Sequence, residues 1–554
     1  MKKKMMALTL GSILIFSGCS GGIGKPHSSA GPNNDEEWAY GKMDTPLTLR
    51  VGFLIPDAKL TSGDTNDNNP VTRYLESLTN IKVVHNWEAK GDDAFWQKVD
   101  MAIASNDLPD AMVVDRNQLR KLIDGDMVED LTDVFAKYGS SLIKDMYDST
   151  DGVAVQDASR NGRMFGLPNV AIEADAPSLL WIRQDWLDKL GLEPPKTIGE
   201  LEQVARAFIE RDPDGDGKRD TVGLTSYKRL VYGGKPAVGG LDTLFSAFHA
   251  FPKNWIRGDD GSIQYGSIME ENKSVLYLLS DWYKKGLIDK QFALYNDAAD
   301  PIIANKCGLF FGPWWMPYWP LSEAVAADTK AEWRAFAFPL DADGKFVTHS
   351  APVTDRYLVV RKGYKHPEAV VKLLNAFTRY ERRQDPNAAE VRKLDNFVAE
   401  TGIQPRAYYP FDLLIDYADA IQKRYSEMQK AFRGEVSPDT LDPGTRQLYD
   451  YTIAENESPK KNLDGWKTAK SYEYGVQALV SANMVVVDPV FYGSTPSMEK
   501  DWKALQQLEN ETYLNIIVGD QPVSAFDDFV KKWKEGGGDR ITQEVTDAVR
   551  DAQK

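Results

Sequence analysis

The chain has 554 residues, too many for one hydrophobic core, so at least two lobes are expected. Its 42% hydrophobic and 27% charged residues place it among soluble globular proteins. With 82 acidic against 66 basic residues, a net charge of −16, its bulk field excludes capture of nucleic-acid phosphates and leaves only a local basic groove open.

The first stretch, "MKKKMMALTLGSILIFSGC", has a basic start (Lys2, Lys3, Lys4) and an apolar run from Met5 to Phe16. That run is too short for a transmembrane helix and fits the apolar region of a secretory signal. Small residues and then Cys19 follow it, which resembles a bacterial lipobox, although Phe16 stands where Leu is usual. The expectation is a signal peptide over 1–18 and a diacylglycerol on Cys19; the alternative is an ordinary signal peptide that contains a cysteine. Each buried methylene of an acyl chain adds about 0.8 kcal/mol, so several chains would anchor the protein durably. Residues 19–45, rich in Gly, Ser, Pro and Asn, read as the lipidated cysteine and a flexible tether. The only other cysteine, Cys307, has no disulfide partner and sits in apolar "ANKCGLFF", as a buried small hydrophobe.

"LTLRVGFLI" (47–55) reads as an opening strand, "NPVTRYLESLTN" as a helix from about Asn69, and "IKVVHNW" as a second strand. "FWQKVDMAIASNDLPDAMVVD" gives a helix, a turn at Pro109 and a buried strand ending at Asp115. Such alternation argues for a parallel α/β sheet. "GRMFGLPNV" (162–170), punctuated by Gly and Pro, reads as a crossing between lobes. In "SLLWIRQDWLDKLGLEPPKT" (178–197), Trp181 and Arg183 share one face of a strand. Trp181 suits the core; Arg183 needs an acceptor, either a carboxylate of the protein or a ligand. "PKTIGELEQVARAFIERD" is a helix, with capping-box spacing at Thr197 and Glu200 and a stripe running from Ile198 to Ile209.

"RDPDGDGKRDTVG" begins where that helix ends. Asp212, Asp214, Asp216 and Asp220 fall at positions 1, 3, 5 and 9 of a calcium-type loop, with Gly217 at the sharp turn and Lys218 offering its carbonyl. The bidentate Glu usual at position 12 is absent; Gly223 stands there. The readings are a single structural Ca2+ site or a solvated acidic turn. "FFGPWWMPYWP" (310–320) then runs from an apolar strand through Gly312 and Pro313 into Trp314, Trp315, Tyr318 and Trp319. Indoles suit the apolar C–H faces of sugars, with N–H free for a hydroxyl; the alternative is a core cluster. In "VTDRYLVVRKGYKHPEAVVKLLNAF" (353–377), Arg356 and Tyr357 stand at the mouth of a strand, open to structural pairing or to ligand contact. From about 413 onward the chain is mostly helical. No GxSxG, HExxH, CxxC or P-loop occurs, and none of the five histidines has a partner at metal-ligand spacing.

"LWIRQDWLDKLGLEPPKT", "DPDGDGKRDTVGL", "GLFFGPWW", "KHPEAVVKLLNAF" and "ENETYLNIIVGDQPVSAFDDFVKKWKEGGGD" occur in this order. With them, nearly the whole mature chain resembles the extracellular solute-binding proteins of family 1, in particular the LipO- and YtcQ-type lipoproteins. It is similar in plan to the alginate-oligosaccharide-binding proteins. The resemblance implies an α/β, two-lobed periplasmic-binding-protein-like fold (type II) with a helix-rich second lobe. The lobes would be 46–168 with 350–412, and 169–349 with 413–554. It implies a carbohydrate ligand, an oligosaccharide because several stacking residues can serve several rings, the permease of an ABC importer with a separate ATPase, a monomer without enzymatic activity, and a place on the outer face of a Gram-positive membrane. A sugar sensor reporting to a membrane kinase is the alternative. Asp212, Asp214, Asp216, Lys218 and Asp220 match the calcium site of the alginate binders, but Thr221 stands where a further acid is frequent. Trp314 matches a sugar-stacking Trp, and Phe165 a position where relatives often carry Tyr. Arg183, Arg356 and Arg406 suit uronate groups if they are unpaired; if protein carboxylates hold them, the ligand is neutral.

Overall fold

The computed structural model describes residues 34–56, 60, 63–232, 237–258 and 260–552. The leader, Cys19 and the first part of the tether lie outside these residues. The tether reading is corrected at its far end. Asn34–Tyr40 form a helix, and Ala39 is buried. The buried Lys372 and Asn375 need acceptors and find them here. Lys372 Nζ donates to the carbonyls of Trp38 (2.6 Å) and Gly41 (2.7 Å), and Asn375 Nδ2 to that of Ala39 (2.9 Å).

Nine strands define two sheets: β1 (Leu47–Ile55), β2 (Ile81–Lys90), β3 (Ala111–Asp115), β4 (Leu167–Pro168), β5 (Leu179–Arg183), β6 (Val222–Leu224), β7 (Cys307–Gly312), β8 (Trp333–Phe336) and β9 (Arg356–Val360). The first sheet has the order β2-β1-β3-β9-β4 and the second β8-β5-β7-β6. In the first, β1 is parallel to β2 and β3, because each is followed by a crossover helix that returns the chain to the same edge. The expectation of a parallel sheet holds only there. β9 runs antiparallel to β3 and β4, since the chain re-enters this sheet from the other lobe. In the second sheet β5 is antiparallel to β7 and β8, and only β7 and β6 are parallel.

Local chemistry starts the helices where the sequence signals them. The side chain of Asn69 accepts from the backbone N–H of Val71 and Thr72 at the head of Pro70–Thr79. Thr197 accepts from Glu200 N–H at the head of Ile198–Glu210, whose Leu201, Val204, Ala205 and Phe208 face the core. Leu49, Val51, Val113, Leu358 and the helix Pro367–Glu381 build the first lobe's core. Two clusters fill the second, one around Trp186, Phe208, Trp255 and Trp533 and one around Trp181, Trp333 and Trp466. Cys307 is fully buried, and burial pushes its thiol up to about 12, so it packs as a small hydrophobe. Among the described residues no helix is long and apolar enough to cross a membrane.

One buried acid makes this core sensitive to pH. Glu509 lies on the helix Met498–Val518 and is 1% exposed. Tyr265 donates its hydroxyl to Glu509 Oε2 at 2.8 Å, and Oε1 has no partner. Burial raises its pKa, against a smaller opposing pull from the Lys253 charge. The folded chain therefore holds this proton more tightly than the unfolded chain. That contribution to stability is complete at acid pH and is lost as pH rises from the ordinary carboxylate range through the raised value. Glu509→Gln is expected to raise stability at neutral pH by about 1–2 kcal/mol and to flatten the acid-to-neutral decline. Chemical unfolding of both chains across pH checks this; a variant less stable at neutral pH contradicts it.

Candidate functional site

The chain passes between the two lobes' cores three times, at about 169–178, 350–355 and 412–420; the first leads from one sheet to the other, the second returns to the first sheet, and the third leads to the helices around Trp466. The first crossing is hydrogen-bonded to both others. Val170 N donates to Leu414 O (3.0 Å), Ala171 N to Val353 O (2.8 Å) and Glu173 N to Ala418 O (2.9 Å). Asn169 is the central fastener. Its Oδ1 accepts from the Asp355 and Arg356 N–H groups, both at 3.0 Å, and from the Thr354 hydroxyl at 2.8 Å. Its Nδ2 donates to Asp355 Oδ1 at 2.7 Å. A lone polar residue beside Pro168 in a run of apolar ones was the signal available for it in the sequence.

A cleft opens beside these crossings. A cavity of about 990 Å³ is bordered by Trp314, Trp315, Tyr318, Arg406 and Tyr472. A second, of about 340 Å³, is bordered by Asn169, Trp315, Arg356, Arg406 and Asp412. A third, also about 340 Å³, reaches into the first lobe past Phe95, Trp96, Arg356, Arg406 and Tyr409. Arg406 borders all three and Trp315 borders two, so the cavities form a chain along the junction, each with a volume in the range of small-molecule sites.

The two tryptophans after Gly312 have different surroundings. Trp314 is 6% exposed. Its Nε1 donates to Asp175 Oδ1 on the first crossing at 2.8 Å. Its ring meets Tyr472 and Tyr318 edge-on at 5.5 and 6.3 Å. Gly475, in the wide turn Ser471–Val476, allows this packing, because a Cβ there would lie 2.3 Å from the Trp314 carbonyl oxygen. Trp315 is only half-buried: it packs against the edge of the core cluster and borders two of the cavities. Tyr318 borders the largest cavity, and burial raises its hydroxyl pKa.

The cleft's guanidinium groups are held by protein carboxylates. Arg406 clamps Glu381 with Nε at 2.9 Å and Nη2 at 2.5 and 2.6 Å. Arg356 pairs with Asp412 and lies over the Trp96 ring at 5.8 Å. Asp416, 1% exposed, serves both Arg382 and Arg424. Around the largest cavity five carboxylates face five cations.

Three expected ligand residues are not brought to these cavities. Arg183 is 2% exposed. Its Nε and Nη2 bind Asp185 at 2.8 and 2.7 Å and its Nη1 binds Asn305 at 2.9 Å, so a neighbour two residues along the chain supplies the acceptor it needed. Tyr357 is fully buried on the far face of β9, where its hydroxyl meets Asp157. Phe165 packs in the same cluster. The alternation of β9 explains Tyr357: Leu358 and Val360 face one side and Tyr357 and Val359 the other. Sequence reasoning missed Trp96, Tyr409 and Asp412; "PRAYYPFD" (405–412), an aromatic run just before a crossing, carried the signal for two of them.

The acidic loop stands at the other end of β7, roughly 20 Å from the tryptophans at strand rise. Asp212, Asp214 and Asp216 bring carboxylate oxygens within 4.8 Å of one another, an acid set able to hold a cation. Asp212 Oδ1 is buried and has no hydrogen-bond partner. Asp212 Oδ2 accepts from Gly217 N–H at 3.1 Å, which closes the loop. Against a full calcium set, the Thr221 hydroxyl turns inward to Phe208 O at 2.7 Å. Lys218 extends its side chain into solvent, its Nζ 3.4 Å from Asp216.

Residues 58–382 match the bacterial extracellular solute-binding protein family. The chain is 27% identical to lipoprotein LipO of Bacillus subtilis over 313 residues, 56% of each chain. It is 22% identical to the polygalacturonan/rhamnogalacturonan-binding protein YtcQ of the same organism over 99% of this chain and 98% of YtcQ. It is 26% identical to the fructooligosaccharide ABC transporter substrate-binding protein FusA of Streptococcus pneumoniae over 52% of this chain and 53% of FusA. The structure of an EF-hand mutant of FusA with fructo-nystose is similar at a TM-score of 0.61 and 18% identity, covering 91% of this chain and 99% of that one, which is a likeness of fold.

Proposed function

We propose that this chain, which belongs to the bacterial extracellular solute-binding proteins, captures a neutral oligosaccharide in the cleft beside its three crossings and delivers it to the permease of an ABC importer. The observation that carries the reading is a cleft that Trp315 borders while its cations are already spent: Arg406 on Glu381 and Arg356 on Asp412. A uronate would have to break such a pair and leave a protein carboxylate without its partner, whereas a neutral ring stacks and exchanges hydroxyl hydrogen bonds. The name of FusA, a fructooligosaccharide binder, supports a neutral ligand, and that of YtcQ is the acidic competitor.

The lobes 46–168 with 350–412 and 169–349 with 413–554 would close over the sugar, and the permease would read closure. Trp314, Trp315 and Tyr318 are assigned to the aromatic wall and Arg356 to its rim. Lipid on Cys19 would hold the protein, as a monomer, on the outer membrane face; ATP hydrolysis would belong to a separate subunit, and no reaction is assigned to this chain. The acidic loop is assigned a structural role, away from capture. A ligand that binds only the native state raises the unfolding midpoint. Neutral fructo-, gluco- or manno-oligosaccharides are therefore expected to raise it, and oligogalacturonates to leave it unchanged. A rise with oligogalacturonates alone would overturn the neutral assignment.

A further inference from the structure

Lys306 immediately precedes β7, 86 residues after Asp220. Its Nζ lies 2.9 Å from Asp214 Oδ2, 2.8 Å from Asp216 Oδ2 and 2.9 Å from Asp220 Oδ1. An ammonium has three N–H donors, and here each has a carboxylate acceptor. The backbone that delivers it is fixed: Lys306 N donates to Pro301 O at 3.0 Å, and Lys306 O accepts from Val222 N at 2.8 Å, just beyond the loop.

We propose that Lys306 is the resident cation of this loop: its ammonium keeps the four-aspartate turn folded without calcium, and calcium enters only by displacing it. Calcium needs six to eight oxygens at about 2.3–2.6 Å, and three of the four side chains that would supply them are engaged by Lys306. A calcium ion on the same three carboxylates would stand within a few ångströms of the ammonium, and the repulsion between the two cations drives the lysine out. The apparent calcium affinity is therefore the intrinsic affinity reduced by the small fraction of molecules whose lysine is out. Thr221, next after the last aspartate, has its hydroxyl committed to Phe208 O, so it offers calcium no side-chain oxygen here. The unpartnered Asp212 Oδ1 is the group left for calcium to recruit once the lysine leaves. The inference concerns the loop alone and stands whether or not the cleft binds sugar.

The test compares the intact chain with Lys306→Met, by thermal unfolding in excess chelator and in excess calcium, and by calorimetric titration with calcium chloride. The native chain is expected to unfold at the same temperature in both media. The variant is expected to unfold lower in chelator, to recover in calcium, and to bind calcium roughly 30-fold or more tightly than the native chain. A native midpoint that falls in chelator as far as the variant's, or calcium binding no tighter in the variant, overturns the proposal. If the variant does not fold in chelator, the native chain decides by itself: an unchanged midpoint supports the resident lysine and a lowered one refutes it.

Discussion

Trp315→Ala is expected to weaken oligosaccharide binding by roughly 30-fold or more while leaving the unfolding midpoint of the free protein nearly unchanged, because a central tryptophan contact is worth about 2 kcal/mol or more and each 1.4 kcal/mol is tenfold. Trp315 is half-buried, borders two of the three cavities and packs only against the edge of the core cluster, so truncation removes a stacking face at a small cost to the core. Its neighbour should behave in the opposite way. Trp314 is 6% exposed, wedged edge-on against Tyr318 and Tyr472 and tied to Asp175. Trp314→Ala should cost about 3–5 kcal/mol of stability and lower binding mainly by loosening the wall. Titration calorimetry with the glycan found by thermal shift, alongside chemical unfolding, separates the two. If Trp315→Ala binds as well as the native chain, the stacking platform is elsewhere, with Trp96 on the first-lobe wall the next candidate.

The largest loss of stability from a single polar side chain is expected at Asn169. Asn169→Leu keeps the approximate volume but removes the acceptor for Asp355 N–H, Arg356 N–H and the Thr354 hydroxyl. Asn169 is 7% exposed, so water does not readily replace it. Each buried donor left without a partner costs about 1–3 kcal/mol, and a total of roughly 3 kcal/mol or more follows for the set. Asn169→Asp retains an acceptor and loses only the bond to Asp355, where two carboxylates then meet; it should be less damaging than leucine. Denaturant unfolding, followed by one probe in each lobe because two lobes need not unfold together, checks the order native, Asp, Leu. A leucine variant as stable as the native chain would mean that the crossings are held by packing and the surrounding backbone bonds.

What could be read in advance was whatever acts through chain-local geometry. Period-2 and period-3.6 patterning located β1, β2, β3 and the helices behind them, and Asn69 and Thr197 capped their helices because a cap acts within three residues. Five short motifs in order were enough for the family and therefore for a two-lobed fold, and the spacing of Asp212, Asp214 and Asp216 foretold that their oxygens converge. The direction of β9 was not legible, since it depends on which lobe the chain returns from. Nor was the difference between Trp314 and Trp315, adjacent and alike in composition, which is set by Asp175 and Tyr472, 139 residues earlier and well over a hundred later.

Charge pairing was the least accessible feature, for the same reason. A chain with 82 acids offers every arginine many partners, and the choice is made by distance in space. Folding set Arg356 on Asp412 and Arg406 on Glu381, 56 and 25 residues apart in the chain, and so paired both guanidinium groups at the cleft. It also carried Lys306 into an acidic loop whose own sequence contains no hint of it. The sequence by itself determined the local elements, the family and the acid spacing, because backbone geometry ties near neighbours together; tertiary structure alone decided which charge meets which, because that requires two distant segments to be packed side by side.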